Sequence, residues 1–169
     1  MTILGIDPGI ASVGYGVVSV EKNRMLPLEY GTFTTPANYS VSTRLSMIFE
    51  FVSELCKKHS VDALAIEELF FNTNSKTVIN VAQARGVILL SATLNGLATY
   101  EYTPLQVKQA VVGYGRADKK QVQYMVKELL RLEKPPRPDD TADALAIAIC
   151  HANSCTSKIF AHMQNGGTN

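Results

Sequence analysis

The chain has 169 residues, 46% of them hydrophobic and 18% charged, with a formal net charge of +1. That suits one globular domain with a substantial core and excludes a polybasic protein that binds nucleic acid through overall charge. No apolar run is long enough to span a membrane, and the N-terminus lacks the basic and apolar regions of a signal peptide. Cys56, Cys150 and Cys155 show no metal-ligand spacing and fit unpaired thiols in a reducing, cytoplasmic setting. His59, His151 and His162 are scattered, which argues against a zinc site.

Residues 2–7 and 12–20 read as two strands joined by the turn Asp7-Pro8-Gly9-Ile10. In the second, Val13, Tyr15 and Val17 share one face and Ser12, Gly14 and Gly16 the other. Glycines in a strand leave a bare surface for a ligand or another backbone. The polar run 21–24 predicts a hairpin turn into a third strand over 26–34, which makes an antiparallel meander. Leu45, Ile48, Phe49, Val52 and Leu55 recur at helical spacing across 41–58, and a strand over 61–67 follows. Strand, helix and strand imply a right-handed parallel crossover, so the first and fourth strands end on the same edge of the sheet. Open α/β sheets place their ligands at that edge.

Further helices are predicted over 75–94, from Pro104 with Thr103 as its cap, and over 118–131 after a break at Gly113-Tyr114-Gly115. A strand over 98–102 separates the first two. The apolar face of 75–94 (Val78, Val81, Ala82, Val87) suits either core or a dimer contact. Pro135-Pro136-Arg137-Pro138 is a rigid linker into a last helix from Asp140 to about Asn153. Residues 1–153 are read as the domain, and 154–169, polar and ending near Gly166-Gly167, as a disordered tail.

Ile-Leu-Gly-Ile-Asp at 3–7 and Ala-Leu-Ala-Ile-Glu at 63–67 both close an apolar strand on a carboxylate. Such an acid is costly unless a charge sits beside it. Aligning the two runs selects Glu67 over Glu68, because successive strand side chains point to opposite faces. Asp140 and Asp143, three apart, share a face of the last helix. Asp139 is explained more plainly as that helix's N-cap. Several carboxylates without histidine call for a hard cation, Mg²⁺ with Mn²⁺ as substitute. Such sites commonly hold two ions, one activating a water and one stabilising the leaving oxygen of a phosphodiester. Glycoside hydrolysis needs only two acids, so four converging ones favour phosphoryl chemistry.

Gly5-Ile6-Asp7-Pro8-Gly9 followed by Gly14-Tyr15-Gly16 resembles the start of the RuvC family of Holliday junction resolvases. Ala65-Ile66-Glu67, Gln83-Ala84-Arg85-Gly86-Val87, Gln106-Val107-Lys108 and Asp140-Thr141-Ala142-Asp143-Ala144-Leu145-Ala146 continue the resemblance in order, from about Ile3 to His151. It implies an α/β, ribonuclease-H-like fold: a five-stranded mixed sheet, an antiparallel meander and then parallel strands, flanked by helices. It also implies a homodimer that nicks four-way DNA junctions in pairs with Mg²⁺, leaving 5′-phosphate and 3′-hydroxyl ends in recombination and repair. A branch-migration helicase complex of the RuvA-RuvB type would be the partner. The catalytic and metal-holding roles fall on Asp7, Glu67, Asp140 and Asp143.

Between Lys108 and Arg137, eight basic residues stand against three acids, the best candidate for a phosphate-binding surface in a nearly neutral chain. Lys108 and Lys119 match basic positions that the family places near its active site, and Lys120 and Arg116 are their neighbours. Phe70-Phe71 follows Glu67 directly, and an aromatic there can stack on unpaired bases. The resemblance favours Phe70 for that contact. The competing readings are a ribonuclease-H-like nuclease acting on RNA or damaged duplex, and a junction-binding protein without catalysis. The intact acid set speaks against the second, since a pure binder gains by losing negative charge near phosphates. An actin-like ATPase needs duplicated domains that a chain of this length cannot contain.

Overall fold

The computed structural model describes residues 1–22, 24–68 and 76–165, with 76–77 and 156–165 described by backbone alone. Five strands, β1 (Thr2–Asp7), β2 (Ser12–Glu21), β3 (Arg24–Thr34), β4 (Ala63–Glu67) and β5 (Ala98–Tyr102), form one sheet in the order β3-β2-β1-β4-β5. β1, β2 and β3 pair antiparallel, while β4 runs parallel to β1 and β5 parallel to β4. This is the mixed sheet that the two short connections and the crossover helix predict.

α1 (Val41–Lys58) and α2 (Lys76–Leu94) cover one face of the sheet. Leu4, Ile6, Val13, Val17, Leu64 and Ile66 pack there against Ile48 and Val52 of α1 and Ile88 of α2. α3 (Pro104–Val112), α4 (Lys119–Leu130) and α5 (Asp139–Asn165) cover the other face. Ile3, Val18 and Ala65 meet Val107, Val122, Val126 and Leu145 on that side. Both faces of β1 and β4 are therefore buried, which explains their near-continuous apolar sequences.

Local chemistry sets the helix starts. Ser40 Oγ accepts from the Thr43 amide at 3.2 Å. Thr103 with Gln106, and Asp118 with Gln121, form reciprocal capping boxes that fix α3 and α4. Several predicted boundaries move for identifiable reasons. β3 starts at Arg24, paired with Glu21, so both residues belong to the strand ladder rather than to the predicted turn. β4 starts at Ala63 because the backbone before it is already engaged: Val61 N–H donates to Cys56 O, and Asp62 N–H to Thr2 O. The buried stripe of α2 is Ala84, Ile88 and Ala92, and the expected face of Val78, Val81, Ala82 and Val87 is only half-buried.

The last helix also departs from expectation. α5 begins at Asp139 and runs to Asn165, so the helix does not stop at Asn153. No proline or glycine lies between Asp139 and Gly166, and Ser154 Oγ bonds back to Cys150 O at 2.9 Å without breaking the helix.

α5 lies close on β1 and β2, and the glycines make that possible. A Cβ on Gly5 would collide with the backbone carbonyl of Ala144, and one on Gly14 with that of Asp140. The bare surface expected beside the strand glycines is thus taken by a helix backbone. That contact sets the height of the first turn of α5 above the sheet edge.

Candidate active site

Parallel pairing of β1 and β4 aligns Ile6 with Ile66, and Asp7 and Glu67 each follow by one residue. Both carboxylates share the phase of Gly5 and Ala65, whose side of the sheet faces α5. Both are half-buried, whereas Glu68 is exposed and its N–H donates to Tyr102 O at 2.9 Å. The first turns of α5 bring Asp140 and Asp143 over the same edge. The four acids that strand phase and helix spacing single out therefore meet at one rim.

Their electrostatics report that proximity. Burial, then the charges of Asp143, Glu67 and Asp140, push the Asp7 carboxyl up to about 7. Burial and Asp143 raise Glu67, opposed by Lys119 and Lys108. Burial raises Asp143 as well, with Lys119 the main opposing charge. Lys119 Nζ lies 3.9 Å from Asp143 Oδ2 and 3.7 Å from Asp139 Oδ2. Asp139 is not the cap of α5: its carboxylate accepts from Gln123 Nε2 of α4 at 2.7 Å and so ties the two helices together.

Two supporting residues escaped the sequence reading. Ser12 Oγ donates to Asp140 Oδ2 and orients that carboxylate. The signal was present, since Ser12 shares the Gly14 and Gly16 face of β2, but only the docked helix reveals its partner. Arg85 of α2 pairs with Glu101 Oε2 at 2.6 Å, and its Nε donates to the Glu67 carbonyl at 3.4 Å, pinning the end of β4.

Lys108 and Lys119 line a cavity of about 270 Å³ together with Glu67 and Asp143. Lys120 and Arg116 are exposed, Lys120 in the first turn of α4 and Arg116 in the α3–α4 connection. Phe70 and Phe71 lie outside the described residues.

The donor set fits a hard divalent cation: oxygen ligands only, half-buried, with Asp143, Glu67 and Asp140 all raising the proton affinity of Asp7. Among the described residues no three His, Cys, Asp or Glu side chains are drawn around a single point. Asp140 is turned to Ser12 and Asp143 toward Lys119.

The raised Asp7 value has a testable consequence. Its ordinary value is 3.8 and its folded value about 7, so the folded state holds the proton more tightly than the unfolded one. The associated stability is fully present below about pH 4 and is lost as pH rises toward about 7. In metal-free protein, Asp7→Asn is expected to raise the melting temperature above about pH 8 by at least ~2–4 °C, the equivalent of ~1 kcal/mol for a chain this size. Near pH 4 the two proteins are expected to melt together. Equal melting at the higher pH would show that Asp7 carries no such burden.

The chain is similar to known proteins over most of its length. Residues 3–151 match the family model described as crossover junction endodeoxyribonuclease RuvC. The protein of that name from Clostridioides difficile is 56% identical over 154 residues, covering 91% of each chain. The structure of Thermus thermophilus RuvC superposes with a TM-score of 0.87 at 37% identity, covering 94% of this chain and 97% of the other. T. thermophilus RuvC in complex with Holliday junction substrate gives 0.85 at 35% identity, covering 93% and 96%.

Proposed function

This chain belongs to the RuvC family of crossover junction endodeoxyribonucleases, and from that membership we propose how its own residues resolve a four-way DNA junction. It is a structure-selective endonuclease with a ribonuclease-H-like fold, from a family of metal-dependent nucleases. The observation that carries the residue-level reading is the meeting of four carboxylates from β1, β4 and α5 beside Lys108 and Lys119.

In this reading Asp7, Glu67, Asp140 and Asp143 hold Mg²⁺, two ions per site, with Mn²⁺ able to substitute. Bound there, the metal supplies positive charge to the reacting phosphodiester and makes a water more acidic. Asp7, whose carboxyl is pushed up to about 7 in the metal-free protein, would have to be deprotonated to hold the ion. Asp140 is held for its part by Ser12, and Glu67 by the grip of Arg85 on the end of β4.

Lys119 bridges acid and substrate: it balances Asp143 in the free protein, and its long exposed side chain reaches an incoming phosphate. Lys108, on α3, serves the same cavity, and Lys120 and Arg116 extend the positive surface outward. Phe70 is the base-stacking residue at the opened crossover. The products are 5′-phosphate and 3′-hydroxyl ends.

A homodimer supplies the paired nicks. The solvent-facing stripe of α2, with Ile79, Leu90 and Leu94 at 62%, 52% and 67% exposure, supports such an interface. Junctions would be delivered by a RuvA-RuvB type complex in the cytoplasm. Among the described residues no helix is long and apolar enough to cross a membrane.

The reading is tested with a labelled four-way junction and a linear duplex of the same sequence, each incubated with and without Mg²⁺. Cleavage is expected only of the junction and only with the metal. Equal cutting of the duplex would favour a general nuclease, and binding without cutting a junction-binding protein.

A further inference from the structure

Two further hollows continue from the acid site along the α4 side of the molecule. The first, about 960 Å³, is lined by Lys119, Lys120, Gln123 and Arg137 and bounded by Asp139 and Asp140. It shares Lys119 with the cavity that holds Glu67 and Asp143. The second, about 480 Å³, lies between Tyr30 of β3 and the 131–137 loop, with Arg131 and Lys134 in its wall and Glu133 as its acid. It shares Arg137 with the first. Lys119 and Arg137 each border two neighbouring hollows, so the three lie in succession along this side of the molecule.

The charges along these hollows favour a polyanion. Asp139 is already engaged by Gln123 and Lys119, and Asp140 by Ser12. Among the described residues no carboxylate pairs with Lys120, Arg131, Lys134 or Arg137, and the carboxylates within ion-pair reach of a cation lie elsewhere or on Lys119. An open trough with cations spaced along its walls suits a chain of phosphates better than a compact anion, and the guanidinium of Arg137 can grip a phosphate with two parallel bonds.

We infer that one junction strand leaves the acid site on the Asp140 side, passes over Arg137 as a phosphate contact, and follows the hollow between the 131–137 loop and Tyr30. The inference rests on the junction-cleaving reading above and adds to it the path of an arm and the residue that turns it.

The test is a salt titration of junction binding in Ca²⁺ for wild type, Arg137→Gln, Lys134→Gln and Lys57→Gln, the last lying on α1 on the opposite face. Arg137→Gln is expected to bind roughly three- to tenfold more weakly at low salt, and to flatten the log–log salt slope by about one unit. Lys134→Gln is expected to do the same on long-armed junctions and to match wild type when the arms are shortened. Lys57→Gln is expected to match wild type throughout. Wild-type slope and affinity in both Arg137→Gln and Lys134→Gln would overturn the path, as would an equal loss in Lys57→Gln. Melting temperatures of the same samples exclude misfolding, since Arg137 and Lys134 are both exposed. Wild-type cutting of junction over duplex is scored on the same substrates, so failure of the path is separable from failure of the function.

Discussion

Asp7→Asn is expected to abolish junction cleavage while leaving junction binding intact. The substitution keeps size and hydrogen-bonding shape and removes the charge that sits deepest in the acid cluster. Metal-assisted charge stabilisation is worth several kcal/mol in such reactions, and each 1.4 kcal/mol is tenfold in rate, so a loss of at least about 10²–10³-fold is expected. Binding should persist because the proposed phosphate contacts are Lys108, Lys119 and the surface beyond them, and removing a negative charge does not repel DNA. The matched pair Glu67→Gln and Glu68→Gln sharpens the result. Glu67 points into the site, whereas Glu68 is exposed. Glu67→Gln should behave like Asp7→Asn and Glu68→Gln should stay within about twofold of wild type, as a solvent-facing side chain away from the reacting groups would. Equal losses at the two positions would undo the strand-phase assignment.

Gly14→Ala is expected to cost almost as much activity, by an indirect route. A Cβ at that position would overlap the Asp140 carbonyl and lie 3.0 Å from the Asp140 Cβ. The clash is with backbone, so no side-chain rotation relieves it, and the start of α5 must lift from β2. Overpacking of this kind typically costs about 1–3 kcal/mol, which should appear as a lower melting temperature. The same movement carries Asp140 and Asp143 away from Asp7 and Glu67, and misplacement by about 1 Å can cost roughly a hundredfold in rate. Melting and cleavage measured on one preparation separate the two effects. Near wild-type values for both would mean that the close approach of α5 to β2 does not set the site.

The sequence made Asp7 and Glu67 legible because two strands of known phase and a right-handed crossover leave little freedom in where their ends lie. Asp140 and Asp143 were legible because three-residue spacing defines a helix face. What remained hidden depends on how α3, α4 and α5 dock. Lys119 could be read as a phosphate contact, but its position between Asp139 and Asp143 follows from the seating of α4 beside α5. Asp139 reads as a cap from its place after Pro138, and the structure spends it on Gln123 instead. Ser12 was visible as a small polar residue on the glycine face of β2, yet nothing local names Asp140 as its partner. The strand glycines allow either ligand or backbone to approach, and only packing decides for the helix. The length of α5 was not legible from the polar character of the residues after Asn153, although no proline or glycine lies between Asp139 and Gly166.

The most direct test of the central claim, that these acids form a cation site, is Mn²⁺ binding followed by electron paramagnetic resonance without DNA. Wild type should take up Mn²⁺, and Mg²⁺ should displace it. Asp7→Asn and Asp143→Asn should each weaken binding at least as much as loss of an outer-shell partner does, roughly 10–100-fold. Mn²⁺ binding in both variants that matches wild type would contradict the assignment of the metal to this rim.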